Sequence, residues 1–315
     1  MPHPPTPPQA PERAVMGLLL AVQVAFASLS VVGKVTVGVV PWPMLMLLRT
    51  LGAFALFAVW SRLDRAPLAP PRALWGRAAV LGFLGVFANQ SLFLAGLART
   101  TAINATVLTA TIPIFTALFS VFTGREPLRR RFVGGMAIAL AGLGLVLRPE
   151  RVSLHDGHLA GDLLIVTNCC AYGVYLGLAR ETVLRHGGLA VVRWAFLAGA
   201  LFALPVGLPT ALRVAPTLDR RAWAALGYIV AVPTAFTYGG NAWALGRVPA
   251  SVVSVFVYLQ PVFAVLFAVT LGAPLARWLG VSVPAEVLTP SIALGGLLTL
   301  AGVFAATRTA PQVRA

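Results

Sequence analysis

The chain is short of acid. Nine carboxylates stand against 24 Lys and Arg in 315 residues, and 10% of positions carry a charge, where a soluble domain carries about 25%. That excludes an ordinary water-soluble fold. Histidine is as sparse: His3, His155, His158 and His186 all fall in the N-terminal tail or in loops. An intramembrane protease or metal hydrolase cannot be assembled from them, so the chain is not read as an enzyme. His155-Asp156-Gly157-His158 has metal-like residue types but reads as a plain polar turn, and no metal or other cofactor is expected. The two cysteines, Cys169 and Cys170, are adjacent. Consecutive helical residues point about 100° apart, which suits neither a disulfide nor a metal site. None of the carboxylates lies near a helix centre, where a proton relay would need one. Asp162 comes closest, and Gly161-Asp162 reads as a helix cap. Facilitated exchange or diffusion is therefore the simplest expectation for any solute movement.

What is abundant is apolar sequence, 58% of the chain, laid out in blocks of the roughly 20 residues that cross about 30 Å of hydrocarbon. The fold class expected is an all-α polytopic membrane protein. Ten spans are read, near 14–33, 43–60, 76–97, 102–122, 131–147, 160–179, 188–208, 222–244, 250–271 and 289–307. Residues 1–13 carry six prolines and read as a disordered N-terminal tail. Ala25-Phe26-Ala27 resembles a signal-peptidase site, but the apolar run continues to Val32, so a retained first helix is expected. The net charge of +15 sits in short loops, the usual topology signal of a membrane protein, so the expected partner is the lipid bilayer and not nucleic acid. With a cytoplasmic N-terminus, fourteen loop cations fall inside and eight outside, which favours both termini in the cytoplasm.

The spans repeat. Leu97–Leu128 and Leu245–Leu275 match without a gap: Arg99 with Arg247, Ala102 with Ala250, Pro113 with Pro261, Phe119 with Phe267 and Gly124 with Gly272, each pair 148 positions apart. Arg49 corresponds to Arg193, and Lys34 takes the place of Arg180. Gly135 and Gly142 answer Gly295 and Gly302, now 160 apart, so the second half carries about twelve extra residues in the 276–288 insert. Two units follow, 14–148 and 159–308. Five helices per unit is an odd number, so the second copy must enter the membrane from the opposite side. The expected architecture is ten transmembrane helices as two five-helix inverted-topology repeats.

Polar residues inside the spans fall on single helical faces. Gln23, Ser30 and Lys34 share one face of span one; Asn168, Tyr172 and Tyr175 one of span six; Thr234, Tyr238 and Asn241 one of span eight; Ser251, Ser254 and Tyr258 one of span nine. Span three adds the adjacent pair Asn89-Gln90. Facing lipid, such groups would cost free energy, so they should turn toward neighbouring helices or a wet cavity. The substrate-binding residues expected are Asn89, Tyr172, Tyr238, Asn241 and Tyr258. Amides would hold polar groups, and aromatic rings an apolar side chain or a cation. Pro113 and Pro261 remove a backbone bond in mid-helix and, with Lys34, Arg49 and Arg193, form the expected helix-break and gating set. Arg49 and Arg193 lie about 9 Å deep, within reach of the interface by snorkelling, so anchoring, interhelix bridging and anion holding all stay open. The glycines of spans five and ten suit packing within the chain or in a homodimer.

On these features the chain resembles the drug/metabolite transporter superfamily, in its ten-helix branch with two EamA-like repeats. The carrying residues are Arg49 and Arg193, Pro113 and Pro261, the exit Thr123-Gly124-Arg125-Glu126, and the Gly-rich stretch Gly134–Gly144. The family commonly ends the fourth helix of each repeat with Gly-Glu. Here Glu126 comes one residue late, and the second half reads Gly272-Ala273-Pro274-Leu275, without the acid. The resemblance implies export or exchange of small polar metabolites, often amino acids, across a bacterial inner membrane by alternating access. Drugs and sugar derivatives remain open as substrates. A membrane enzyme and a non-transporting scaffold or subunit are the competing classes.

Overall fold

The computed structural model describes residues 12–64, 72–100, 105, 108–127, 129–147, 159–279 and 290–307. These residues form ten helical rods and no strand: α1 (Glu12–Val37), α2 (Trp42–Leu63), α3 (Arg72–Arg99), α4 (Ile112–Phe122), α5 (Arg130–Leu147), α6 (Leu159–His186), α7 (Gly188–Val214), α8 (220–245), α9 (250–279) and α10 (Pro290–Thr307). Six of them are long and apolar enough to cross a membrane: α1, α2, α3, α6, α7 and, over Ala250–Leu275, α9. Large apolar side chains remain exposed around the bundle, among them Phe122, Leu63, Leu212 and Leu297. Arg49, Gln90, Asn168, Thr234 and Asn241 are buried instead. Polar groups turned inward and apolar ones turned out is the arrangement that hydrocarbon solvent favours.

The expected tail lies outside the described residues up to residue 11, and the helix starts at Glu12, inside the segment read as tail. The turn around His155 and the boundary segment 148–158 also lie outside. So does 280–289, most of the expected insert, whose first residues instead continue α9 to Leu279. Helices α3 and α6 run past their expected ends, because a charged residue ends an apolar count before it ends a helix.

Packing pairs helices across the two units. Helix α5 packs along α10 and α2 along α7; α1 packs on α8 and α9, as α6 packs on α3 and α4. Shifting each helix number by five converts every pairing into another of the set. At the α5–α10 crossing the backbones themselves meet. A Cβ at Gly142 would lie 2.5 Å from the Thr299 backbone N, and one at Gly302 2.3 Å from that of Ala139. These glycines are used inside the chain, one of the two packings their sequence allowed.

Both prolines sit differently from a mid-helix kink. Pro261 stands in the first turn of the segment Gln260–Phe267, after a 3-10 turn at Phe256–Leu259, and Pro113 in the first turn of Ile112–Phe122. A first-turn residue has no intrahelical acceptor for its N–H, so proline there sacrifices nothing and restarts the helix. Helices α3 and α8 are wound more loosely at matching places, with π-helical stretches at Gly82–Ala88 and Ala231–Phe236. Such bulges turn successive side chains out of the regular register, often at functional sites.

Glu126 gives the late Gly-Glu acid a role. Its Oε1 accepts from the Ala250 N–H at 2.8 Å and its Oε2 from the Ser251 N–H at 3.4 Å, so an acid of the first unit caps the start of α9 in the second. The corresponding turn of the first unit, 101–104, lies outside the described residues. Glu126→Ala should lower stability by about 1 kcal/mol, as cap removals do, with Glu126→Gln milder. Thermal unfolding of the detergent-purified protein reads this out, and an unchanged midpoint would refute the cap.

Candidate functional site

A cavity of about 70 Å³ lies among seven helices, with room for about five water molecules at 10–15 Å³ each. Its polar wall consists of Ser30, Arg49, Asn89, Gln90, Thr109, Asn168, Tyr172, Tyr238 and Gln260. Phe26, Leu29, Phe93, Leu97, Ala105 and Ile112 complete it. Among the described residues the lining contains no carboxylate, and Arg49 is its single charged residue.

Hydrogen bonds between helices hold this wall. Asn89 on α3 donates its Nδ2–H to Asn168 Oδ1 on α6 at 2.6 Å. The phenolic proton of Tyr238 on α8 is shared between the Gly85 carbonyl and Asn89 Oδ1, each 2.8 Å away. Gly85 belongs to the loosened stretch of α3, and a Cβ there would sit 2.1 Å from the Tyr175 ring, so only glycine lets that ring lie against the backbone. Tyr172 and Tyr175 stack at 5.4 Å, and Phe196 meets Tyr238 edge-on at 4.9 Å, which fixes both cavity tyrosines from behind. On the other flank Gln260 donates Nε2–H to Gln23 Oε1 at 2.7 Å, joining α9 to α1. Gln90 differs from all these: it is buried, and neither its Nε2 nor its Oε1 has a protein hydrogen-bond partner. A buried amide in that state is costly unless something in the cavity answers it.

Arg49 does not snorkel. It is 2% exposed, and its Nε–H donates to Thr234 Oγ1 at 3.0 Å, bridging α2 to the loosened stretch of α8. Thr234 in turn donates to the Ile229 carbonyl at 2.7 Å.

Of the five expected binding residues, Asn89, Tyr172 and Tyr238 line the cavity. Asn241 stands one step behind, donating Nδ2–H to the Tyr172 hydroxyl at 3.1 Å. Tyr258 is fully buried in the 3-10 turn of α9, its hydroxyl without a hydrogen-bond partner, away from the lining. A facing read at about 3.6 residues per turn does not carry over to a residue in a 3-10 turn. Among the expected gating residues only Arg49 lines the cavity. Lys34 donates Nζ–H to the carbonyls of Leu97 (2.9 Å) and Thr100 (3.3 Å), closing the C-terminal end of α3, and Arg180 donates Nε–H to the Val248 carbonyl at 3.1 Å in the equivalent place. Arg193 lies over the Trp194 ring, 4.7 Å from its centroid. Pro113 and Pro261 stand next to the lining residues Ile112 and Gln260.

Three pairs of lining residues obey a rule that the choice of binding residues could have used. Phe26 corresponds to Tyr172 in the repeat, Gln90 to Tyr238, and Ile112 to Gln260, and all six line the cavity. Taking the repeat partners of Tyr172 and Tyr238 would have added Phe26 and Gln90.

At the end of the bundle away from Lys34, Glu181 draws α3, the α4–α5 turn and α6 together. It accepts from Arg77 at 3.2 Å through both its oxygens, and pairs with Arg125 at 3.4 Å and Arg185 at 2.8 Å. The cavity lies toward the opposite end, where α1 and α3 finish and α2 begins.

Comparison with known proteins agrees with this architecture. The model of the EamA-like transporter family matches residues 14–148 and again 159–308. An uncharacterized transporter of Archaeoglobus fulgidus is 26% identical over 82% of this chain and 85% of its own length. A probable terminal-alkyne amino-acid exporter of Streptantibioticus cattleyicolor is 28% identical over 73% of this chain and 72% of its own. The uncharacterized inner membrane transporter YedA of Escherichia coli is 25% identical over 82% and 83%. One solved crystal structure superposes with a TM-score of 0.73 over 94% of this chain and 98% of that chain, at 20% identity, a likeness of fold.

Proposed function

The chain belongs to the EamA-like transporter family, and from that premise we propose that it moves small polar metabolites, amino acids foremost, by alternating access. As a member of that family it is a membrane transporter and not an enzyme. The observation that carries the substrate reading is the cavity: polar side chains from both units converge there, three of the lining positions recurring as repeat partners, with Gln90 unanswered by the protein. A scaffold would have no use for a buried amide left without a partner beside a polar cavity.

In this reading all ten rods span the membrane. Units 14–148 and 159–308 are inverted repeats, and the exchange of pairings on shifting helix numbers by five supports that relation. The loop cations favour both termini in the cytoplasm and the inner membrane of a bacterium as the location. The Lys34 end then faces outward, and the Glu181 cluster staples the cytoplasmic end. Amino acids rank before drugs and sugar derivatives because the relative from Streptantibioticus cattleyicolor is named a probable amino-acid exporter, and because the lining mixes amides, one guanidinium and apolar rings.

Counterflow tests this. Purified protein in liposomes preloaded with a mixed amino-acid pool should accumulate a labelled member, and the double variant Asn89→Ala, Gln90→Ala should not. If folded wild-type protein accumulates no amino acid, sugar or amine above empty liposomes, the carrier reading is wrong.

A further inference from the structure

Arg49 is a buried charge with no counter-charge among the described residues. It is 2% exposed and lines the cavity, and its one hydrogen bond, Nε–H to Thr234 Oγ1 at 3.0 Å, uses a single edge of the guanidinium. Carboxylates that could balance it are engaged elsewhere. Glu126 caps α9, Asp162 accepts from the Thr100 hydroxyl, Asp219 accepts from the Ala222 N–H, and Glu181 holds three arginines. Among the described residues no acid pairs with Arg49. A buried cation without a counter-charge is strongly unfavourable, and a guanidinium fork matches a planar carboxylate with its two terminal amino groups.

We propose, on the basis of the transport reading above, that Arg49 anchors a single substrate carboxylate, so that the carrier selects small monocarboxylates. Gln90, a lining residue whose buried amide has no protein partner, turns to the substrate's second polar group when it binds. The neutral amides take an ammonium, hydroxyl or carbonyl without a fixed charge preference, so amino acids and their 2-hydroxy or 2-oxo relatives are all admitted. Phe26, Leu29 and Phe93 provide the wall for a short apolar tail. A second carboxylate would find no cation, and an amine without carboxylate would meet Arg49 as a like charge.

The test uses wild-type proteoliposomes and counterflow of labelled L-alanine and labelled propionate. Unlabelled competitors share each carbon skeleton: the free acid, the methyl ester, the primary amide and the amine lacking the carboxyl group. Free acids should compete, and the ester, amide and amine should be weaker by about 30-fold or more, the lower bound for deleting one partner of a buried charge pair. Arg49→Gln should lose uptake of both labels, and Arg49→Lys should retain part of it. Esters or amides competing as well as acids would overturn the anchor and leave the carrier standing. So would an Arg49→Gln protein that moves acids at the wild-type rate. If wild-type protein moves no solute at all, the transport reading falls and the anchor with it. Should the Arg49 variants fail to fold, the competitor series on wild-type protein decides alone.

Discussion

Gly302→Leu and Gly142→Leu should each abolish the folded protein, while Gly134→Leu and Gly144→Leu leave it intact. All four glycines lie on α5 or α10, so composition does not distinguish them. Surroundings do. Added Cβ atoms at 142 and 302 meet neighbouring backbone at 2.5 and 2.3 Å, whereas those at 134 and 144 meet nothing within 4 Å. Lipid is as apolar as leucine, so helices in a membrane are held by close dispersion contact and interhelical hydrogen bonds and not by a hydrophobic push. A leucine wedged at the point of closest approach forces the two rods apart along their whole shared face. Thr299, whose hydroxyl donates to the Gly295 carbonyl and reaches the Ala139 carbonyl at 3.4 Å, would lose its place as well. Overpacking alone costs about 1–3 kcal/mol, and backbone separation adds to it, a large part of a marginal stability. Elution profile and thermal midpoint in detergent measure the outcome. A Gly302→Leu protein with the wild-type midpoint would mean that α5 and α10 do not pack in this way.

The helices were legible because their signal is long: a 20-residue apolar block survives any tertiary context, and the gap-free match around Pro113 and Pro261 gave the repeat. The site was legible in part. Tyr172 and Tyr238 stood out because a phenol among aliphatic residues is conspicuous, and their facing could be read at 3.6 residues per turn. That reading assumes regular helices. The stretches Gly82–Ala88, Ala231–Phe236 and Phe256–Leu259 depart from it. Tyr258 falls in one of them and is not among the lining residues, and Thr234 falls in another and holds Arg49. Depth alone left Arg49 open between anchoring, interhelix bridging and anion holding, and the structure shows the bridge. Distance from the interface allowed Arg49 to snorkel, but the neighbour that determined its direction was Thr234, 185 residues away and invisible to a local count.

Exchange should outrun net flux by about 100-fold. In alternating access the loaded and the empty carrier both pass through a state closed on each side. Loaded, the closed state pairs Arg49 with the substrate carboxylate. Empty, it must enclose a guanidinium whose one hydrogen bond is to Thr234, with no acid among the described lining residues. An unpaired arginine at membrane depth costs about 2.5–3.5 kcal/mol on insertion scales, and each 1.4 kcal/mol in a barrier is a factor of ten. A return step slowed by about two orders of magnitude leaves substrate-for-substrate exchange as the fast mode, without any proton relay. This agrees with a cavity that has no carboxylate among its described lining residues. Efflux of labelled alanine from proteoliposomes into medium with and without unlabelled alanine compares the two modes directly. Equal rates would show that the empty carrier returns as readily as the loaded one, and Arg49 would then have to be balanced by something other than substrate.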